Sequence, residues 1–211
     1  MTARVLPAAD PAALDEALAA LQRGELVGIP TETVYGIAAL PSSSGEGVQR
    51  LIEAKQRSTD KGIQLLVDSL EQVAALASLN EGAERLARRF WPGGLTLVLD
   101  RRADVQLTDL LGGGRPTLGI RLPDHDTPRT LARRLGPLAA SSANVSGQPD
   151  ATTADLVAAS LGDALALILD DGPVRTGTPS TVVDCSSVGG GVPRILREGA
   201  ILAADITDAL G

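Results

Sequence analysis

Both lysines of the chain, Lys55 and Lys61, stand in one seven-residue segment, KQRSTDK, with Arg57 between them. Every other Lys or Arg position is arginine. An ammonium is a compact, strongly hydrated point charge, whereas a guanidinium is a flat fork suited to bidentate pairing. The segment therefore indicates a site for anions such as phosphate or carboxylate. The alternative is an exposed helix end, because cations are favoured at a helix C-terminus in any case.

Four further polar segments sit at the ends of apolar strands, where α/β proteins tend to place ligands. They are PTETVYG (30–36), SSANVSG (141–147), GTPST (177–181) and RILR (194–197). The hydroxyls and Tyr of the first could orient a small polar ligand. SSANVSG offers side-chain and backbone donors to phosphate oxygens. The alternating pattern of RILR predicts that both arginines point to one face. Caps, turns or a solvated edge strand explain each segment equally well, so none is specific alone.

The composition excludes several kinds of site. His125 is the only histidine, so a multi-histidine metal site is excluded and a Ser-His-Asp triad would have to use it. We interpret His125 as a surface or capping residue. Cys185 is also alone, which excludes a disulfide framework and a Cys-rich metal site. Neither GxxxxGK[ST] nor GxGxxG after a strand occurs, so a bound nucleotide requires another kind of site.

Aromatic content and net charge disfavour broad nucleic-acid binding. Aromatic residues make up 1% of the chain, too few to stack successive bases of a single strand. The formal net charge is −7, which argues against a broad phosphate-binding surface but leaves room for a local basic pocket.

Alternating helices and short apolar strands must position these segments. Helices are predicted to begin near Pro11, Glu46, Ser69, Asn80, Thr127 and Thr153, with a short one after Asp205. Strands are predicted at 26–29, 63–67, 95–99, 118–122, 138–141, 165–169, 180–184 and 194–196. Several strands lack a long intervening helix, which favours a mixed sheet. The pattern predicts one α/β domain over 1–211, with the glycine runs 112–114 and 189–191 as mobile surface loops.

Taken together and in order, the polar segments resemble the YrdC family, the threonylcarbamoyl-AMP synthases. The matching stretches are PTETVYG, KQRSTDKG, FWPGGLTLVL, GIRLPDH, SSANVSG, GTPSTVVD and RILREG, and they span about 30–199. Several ordered matches are far more specific than any one. The resemblance implies a twisted mixed β-sheet flanked by helices around a concave, positively charged cavity. It also implies a chain without the extra C-terminal domain of the longer family branch.

The resemblance implies a nucleotidyltransferase that combines L-threonine, bicarbonate or CO2, and ATP into threonylcarbamoyl-AMP and pyrophosphate. The product would pass to a tRNA threonylcarbamoyl transferase that modifies adenosine beside the anticodon. A threonine carbamate attacks the α-phosphate of ATP, so both reactants are anionic and catalysis should rest on positioning and charge neutralisation. Mg2+ is expected on the ATP phosphates rather than at a protein metal site. Without a signal peptide or an apolar run of membrane-spanning length, a cytoplasmic protein is expected.

Carried over residue by residue, the resemblance assigns three overlapping sets. The catalytic cations are Lys55, Arg57 and Lys61. The ATP-binding residues are Arg57, Lys61, Thr117, Ser141, Ser142, Ala143, Asn144 and Arg194. The threonine-binding residues are Thr33, Tyr35, Arg121 and Ser180. Arg121 is suited to the threonine carboxylate, and Tyr35 is expected to close that end of the pocket.

The sequence departs from the family pattern at three positions. Ser58 and Gly62 replace the prolines of KxRPxxKP, so this loop should be less rigid although the cations keep their spacing. Leu66 stands where some relatives have a histidine, so an imidazole contact to threonine is lost or replaced.

Two alternative functions remain open. One is a paralogue of the same fold that acts as an RNA-binding or regulatory protein without synthase activity, and weak RNA contact is also compatible with the synthase. The other is a different ATP-dependent acyl- or carbamoyl-adenylating enzyme.

Overall fold

Local capping signals set where the helices begin. The computed structural model describes residues 3–211. The Asp10 side chain accepts a hydrogen bond from the backbone N–H of Ala12 at 2.9 Å, and Pro11 occupies the first helical turn. His125 caps a later helix by accepting from the N–H of Thr127 at 3.2 Å, which confirms its capping role. The helices are α1 Pro11–Gln22, α2 Glu46–Ala54, α3 Leu70–Leu76, α4 Glu81–Phe90, α5 Asp126–Leu135, α6 Ala154–Leu161 and α7 Ala203–Leu210.

Within the described residues, eleven strands form one mixed sheet, which confirms the predicted α/β class. The strands are β1 Arg4–Pro7, β2 Val27–Ile29, β3 Gly36–Ala39, β4 Gln64–Leu66, β5 Ala77–Ser78, β6 Leu95–Arg101, β7 Thr117–Arg121, β8 Leu138–Ser142, β9 Leu167–Asp170, β10 Thr181–Asp184 and β11 Arg194–Arg197. Their order is β1-β9-β2-β3-β8-β4-β7-β6-β10-β11, with β5 beside β6. The pairs β1–β9, β2–β9, β4–β7 and β6–β10 are parallel and the others antiparallel.

Both faces of the sheet bury apolar side chains. Leu65 and Leu66, which point to opposite faces of β4, belong to two separate hydrophobic clusters. The cluster around Leu66 includes Leu21 of α1 and Leu131 of α5, so these two helices cover part of that face. Gln64, two residues before Leu66, lies on the same face where the helices no longer cover it. This uncovered part of the face forms the wall of the cavity described below.

The glycine run at 112–114 differs from the predicted mobile loop. Gly113 has a φ of +62°, and a Cβ added there would lie 2.3 Å from the Asp60 carbonyl oxygen. The backbone N–H of Ile63 also donates to the Leu111 carbonyl at 2.9 Å. The turn is therefore packed against the segment that carries both lysines and helps to position it. No helix within residues 3–211 is both long and apolar enough to cross a membrane.

Candidate active site

A cavity of about 870 Å3 opens on the uncovered face of the sheet. Among the described residues that line it are six cationic side chains and one carboxylate: Arg57, Lys61, Arg115, Arg121, Arg194, Arg197 and Asp184. A concave wall of one charge sign concentrates ligands of the opposite sign. The cavity therefore favours an anionic ligand although the whole chain carries a net charge of −7.

Strand register brings residues from distant parts of the chain into this wall. Gly119 of β7 pairs with Val98 of β6, which pairs with Asp184 of β10, and Asp184 pairs with Arg194 of β11. All four residues line the cavity. Because Gly119 has no side chain, it leaves its end of this row open to a ligand.

A β-bulge brings both arginines of β11 into the cavity. In a regular strand, residues three apart point to opposite faces. Alternation by itself therefore cannot point Arg194 and Arg197 to one face, as was predicted for RILR. The pairing shifts between Val182, opposite Arg197, and Val183, opposite Ile195. Leu196 is the extra residue of this bulge, and Arg194 and Arg197 consequently share the cavity face. The predicted outcome is confirmed, but its cause is the bulge.

The segment between the lysines places Arg57 and Lys61 in the cavity, as predicted. The Arg57 guanidinium donates to the Gly62 carbonyl at 2.9 Å and so braces its own loop. Burial, together with the charge of Arg197, lowers the pKa of Arg57. Gly62 stands at one of the two proline positions of the family pattern, so here a side-chain hydrogen bond reaches a residue whose φ no proline ring fixes.

Lys55 is placed differently from the predicted catalytic cation. It is 2% exposed and does not line the cavity. Its ammonium donates to three oxygens: the Ser142 carbonyl, the Asn144 carbonyl at 2.6 Å and Asn144 Oδ1 at 2.9 Å. Three acceptor oxygens match the three N–H bonds of an ammonium. Lys55 therefore supports the SSANVSG segment from behind rather than facing a ligand.

The SSANVSG segment presents two serines and buries the next two residues. Ser141 and Ser142 line the cavity, whereas Ala143 and Asn144 are buried beneath it. The Ala143 N–H donates to the Tyr35 carbonyl at 2.8 Å, and Ser142 Oγ donates to Asn144 Oδ1 at 2.6 Å. Of these four predicted ATP-binding residues, the structure thus puts two in contact with the cavity and uses the other two to shape the turn.

Arg121 lies in the cavity wall as predicted, but an acid that the sequence analysis missed is paired with it. The guanidinium of Arg121 lies 2.8 Å from Glu32 Oε1, and the two side chains are 3% and 8% exposed. Its Nη2 also donates to Thr33 Oγ1 at 2.8 Å, and its Nε donates to the Gly93 carbonyl at 3.1 Å. These contacts occupy Nε and Nη2 and leave Nη1 for a ligand. A lone acid inside the otherwise uncharged PTETVYG segment was the available signal for Glu32.

The remaining predicted residues divide into two groups. Thr117 and Ser180 line the cavity, whereas Thr33 is 1% exposed and lies behind Arg121. Tyr35 is fully buried, and its hydroxyl lies 2.8 Å from the Gly172 carbonyl and 3.0 Å from Asp170 Oδ1. Tyr35, the residue just before β3, joins that strand to the end of β9 instead of closing the pocket, and it packs in the larger hydrophobic cluster. Burial raises the pKa of this hydroxyl.

The free energy of unfolding is expected to rise as the pH is raised above about 8, through Lys55. Burial first, and then the Arg57 charge, lower the pKa of Lys55 from 10.5 to about 8. Between pH 10.5 and about 8, Lys55 keeps its proton in the unfolded chain and has lost it in the folded chain. The free energy of unfolding therefore increases with pH over that range. Urea unfolding of Lys55→Met at a series of pH values should lack this rise, with Lys61→Met as the control for loss of a lysine. An identical pH dependence in Lys55→Met and the unaltered protein would contradict this assignment.

Comparisons with known proteins give concordant matches. The family model for Sua5, YciO and YrdC, described as telomere recombination, matches residues 19–199. A Bacillus subtilis protein named threonylcarbamoyl-AMP synthase is 38% identical over 93% of this chain and 56% of its own length. A Vibrio vulnificus protein of the same name is 33% identical over 88% of this chain and 98% of its own length.

Solved structures match over nearly the whole chain. The crystal structure of P. abyssi Sua5 complexed with L-threonine has a TM-score of 0.87 and 35% identity, and the match covers 100% of this chain and 60% of that one. The E. coli YciO structure has a TM-score of 0.82 at 20% identity, covering 97% of this chain and 98% of that one, which shows a shared fold. This chain thus spans a little over half the length of some relatives and nearly all of others.

Proposed function

The chain belongs to the Sua5, YciO and YrdC family, and we propose that it is a threonylcarbamoyl-AMP synthase. The reaction joins L-threonine, bicarbonate or CO2, and ATP into threonylcarbamoyl-AMP and pyrophosphate. The observation that carries the proposal is the cavity, in which six cationic side chains surround a single carboxylate. The names of the B. subtilis and V. vulnificus relatives and the L-threonine complex of P. abyssi Sua5 support the choice of amino acid.

The threonine end of the cavity is proposed to lie at Arg121, Arg197 and Ser180. Arg121 offers Nη1 to the carboxylate, because its other nitrogens are held by the protein. Arg197 Nη2 donates to the Ser180 carbonyl at 2.6 Å, which fixes a second guanidinium beside that serine. Leu66 is 1% exposed and packs in the core, so this chain has an apolar residue where some relatives are expected to have a histidine. The two arginines supply the recognition of threonine by charge.

The ATP end is proposed to lie at Arg57, Lys61 and Arg194, with the Ser141 and Ser142 hydroxyls and Thr117 beside them. The threonine amine and bicarbonate give a carbamate and water. A carbamate oxygen then forms a bond to the α-phosphorus while the bond to pyrophosphate breaks and its electron pair leaves with pyrophosphate. Attacking group, phosphate chain and leaving group are all anionic, so the fixed cations stabilise the charge of the transition state.

The described residues fit Mg2+ bound to substrate rather than to the protein. No group of three or more His, Cys, Asp and Glu side chains within residues 3–211 could hold a metal ion. The cavity carboxylate, Asp184, is engaged: its Oδ1 accepts from Ser186 N and Oγ at 3.0 and 2.7 Å, and its Oδ2 lies 3.6 Å from Arg194. Mg2+ is therefore proposed to arrive on the phosphate oxygens of ATP, where it would neutralise charge.

The product is proposed to pass to a tRNA threonylcarbamoyl transferase. A mixed carbamic–phosphoric anhydride transfers its acyl group readily, so a partner must consume it. Cations that line a cavity suit a small anion better than a nucleic-acid duplex, which requires basic groups along an exposed face. This arrangement favours the synthase over an RNA-binding paralogue.

Pyrophosphate release is expected only when ATP, L-threonine and bicarbonate are all present. The measurement is a coupled pyrophosphate assay on the purified chain, with each component omitted in turn. Release that is indifferent to threonine would instead indicate a different adenylating enzyme. Absence of release from a folded protein that binds tRNA would support the RNA-binding paralogue.

A further inference from the structure

Three polar side chains form a hydrogen-bonded chain in the cavity wall. Ser180 Oγ and Thr96 Oγ1 are 2.8 Å apart, and Thr96 Oγ1 donates to Gln64 Oε1 at 2.8 Å. All three residues line the cavity, and Ser180 and Thr96 are each 3% exposed. Thr96 occupies a polar position within an otherwise apolar part of β6, 95–99. A buried hydroxyl is expected to have at least one hydrogen-bond partner, and Thr96 has two.

The direction of each hydrogen bond follows from counting protons. A hydroxyl has one proton to donate and two lone pairs that accept. Since the proton of Thr96 goes to Gln64, the bond between Thr96 and Ser180 must use the proton of Ser180. Arg197 Nη2, 3.4 Å from Ser180 Oγ, faces one lone pair of that oxygen. Ser180 is therefore left with a lone pair for a ligand and no proton to give.

An acceptor at Ser180 suits one group of an amino acid in particular. The Arg197 guanidinium, which bonds to the Ser180 carbonyl, and that of Arg121 in the same cavity suit the carboxylate, and the α-amine is attached to the carbon that bears it. A lone pair on Ser180 holds a neutral amine through an N–H and leaves the nitrogen lone pair free to attack carbon. A hydroxyl that donated to the nitrogen would instead occupy the electron pair that must form the new N–C bond.

We propose that Thr96 is a positioning residue: by taking the proton of Ser180 it makes that serine a hydrogen-bond acceptor for the substrate amine. Gln64 completes the arrangement by accepting the proton of Thr96. This inference rests on the proposed function, since it names how the same cavity holds the amino acid before carbamate formation.

Thr96→Val is expected to weaken threonine binding roughly tenfold or more, because Ser180 loses the acceptor that fixes its proton and its free lone pair is no longer held toward the amine. Threonine affinity is measured by calorimetry, and the KM values for threonine and ATP by pyrophosphate release. The KM for ATP should remain within about twofold of the unaltered protein, whereas a general disturbance of the fold would raise both values. Thr96→Ser keeps the hydroxyl and should restore the affinity. Equal threonine affinity in Thr96→Val and Thr96→Ser overturns the proposal.

A double-mutant cycle with Ser180→Ala shows whether Thr96 acts through the serine. In the Ser180→Ala background, Thr96→Val should cause no further loss of threonine affinity. Additive losses in the double variant mean that Thr96 acts by another route and overturn the proposal. Urea unfolding of each variant confirms that the folded protein is being measured.

Two substrate analogues identify the group that Ser180 binds. 3-Hydroxybutyrate lacks the α-amine, and 2-aminobutyrate lacks the hydroxyl. Thr96→Val should reduce the ratio of the affinities for threonine and 3-hydroxybutyrate. The ratio of the affinities for threonine and 2-aminobutyrate should stay unchanged. The reverse result would show that Ser180 accepts from the threonine hydroxyl and overturns the assignment to the amine.

The failure of this inference can be separated from failure of the proposed function. Suppose that the unaltered protein and Thr96→Val both release pyrophosphate and bind threonine with equal affinity. Only the role proposed for Thr96 is then refuted. If the unaltered protein binds no threonine by calorimetry, the proposed function and this inference both fall.

Discussion

Arg57→Ala is expected to lower turnover at least tenfold. The loss should be roughly a hundredfold if Arg57 contacts the reacting phosphate, because removal of one preorganised transition-state donor lowers kcat by about a hundredfold. The guanidinium lines the cavity and also braces its loop through the Gly62 carbonyl at 2.9 Å. Lys61→Ala, which removes an exposed cation of the same loop, is expected to lower turnover tenfold or more for the same electrostatic reason. The measurement is kcat for pyrophosphate release at saturating threonine, bicarbonate and ATP.

Two controls separate charge from loop geometry. Arg57→Lys keeps a cation but lacks the planar fork, so partial activity would assign the remaining loss to the brace on Gly62. Arg102→Ala removes an arginine that pairs with Asp104 outside the cavity, and its kcat should match that of the unaltered protein. Unchanged kinetics in a folded Arg57→Ala variant would refute the role proposed for Arg57, and the same holds for Lys61.

Glu32→Ala is expected to lower the free energy of unfolding by about 3–5 kcal/mol, because it leaves the Arg121 guanidinium buried without its counter-ion. Glu32 and Arg121 lie 2.8 Å apart, and neither side chain is more than 8% exposed. Urea unfolding at neutral pH measures the loss. Glu81→Ala is the matched control: its carboxylate pairs with Arg85 on the exposed surface of α4, so the cost should be below about 0.5 kcal/mol.

A double replacement distinguishes the structural contribution of the pair from its contribution to binding. Glu32→Leu combined with Arg121→Met removes both charges and keeps similar volume, so much of the stability should return. Pyrophosphate release at low threonine concentration should not return, because the guanidinium proposed to bind the carboxylate is absent. A Glu32→Ala protein as stable as the unaltered one would show that Arg121 finds another counter-ion in the fold.

The sequence predicted those features that depend on a few neighbouring residues. Asp10, Pro11 and Gly24 mark the ends of α1 because caps and a left-handed glycine act locally. All eight predicted strands recur, with ends within two residues of those predicted. The strands β1, β3 and β5 were missed, since short segments such as Gly36–Ala39 have weak strand propensity and are stabilised by their neighbours in the sheet.

The orientation of site residues required the tertiary structure. Lys55 and Arg57 are two residues apart in one basic segment, yet one ammonium is buried under the SSANVSG turn and the other cation faces the cavity. The lone acid Glu32 stood out within PTETVYG, but its pairing with Arg121, 89 positions later, became visible only in the fold. Burial and pairing across strands decide such cases, and neither can be read from local pattern.

The sequence pointed to the short segment that carries both lysines, and the structure places that segment at the cavity, but the two lysines differ in position. Residue type and order determined the family, the mixed α/β sheet and the segments that meet at the cavity. Only the tertiary structure decided that Lys61 faces the cavity while Lys55 holds its wall, and that a bulge at Leu196 turns Arg194 and Arg197 to the same side. The reason is physical: which way a side chain points depends on strand register and on the partners it meets when buried.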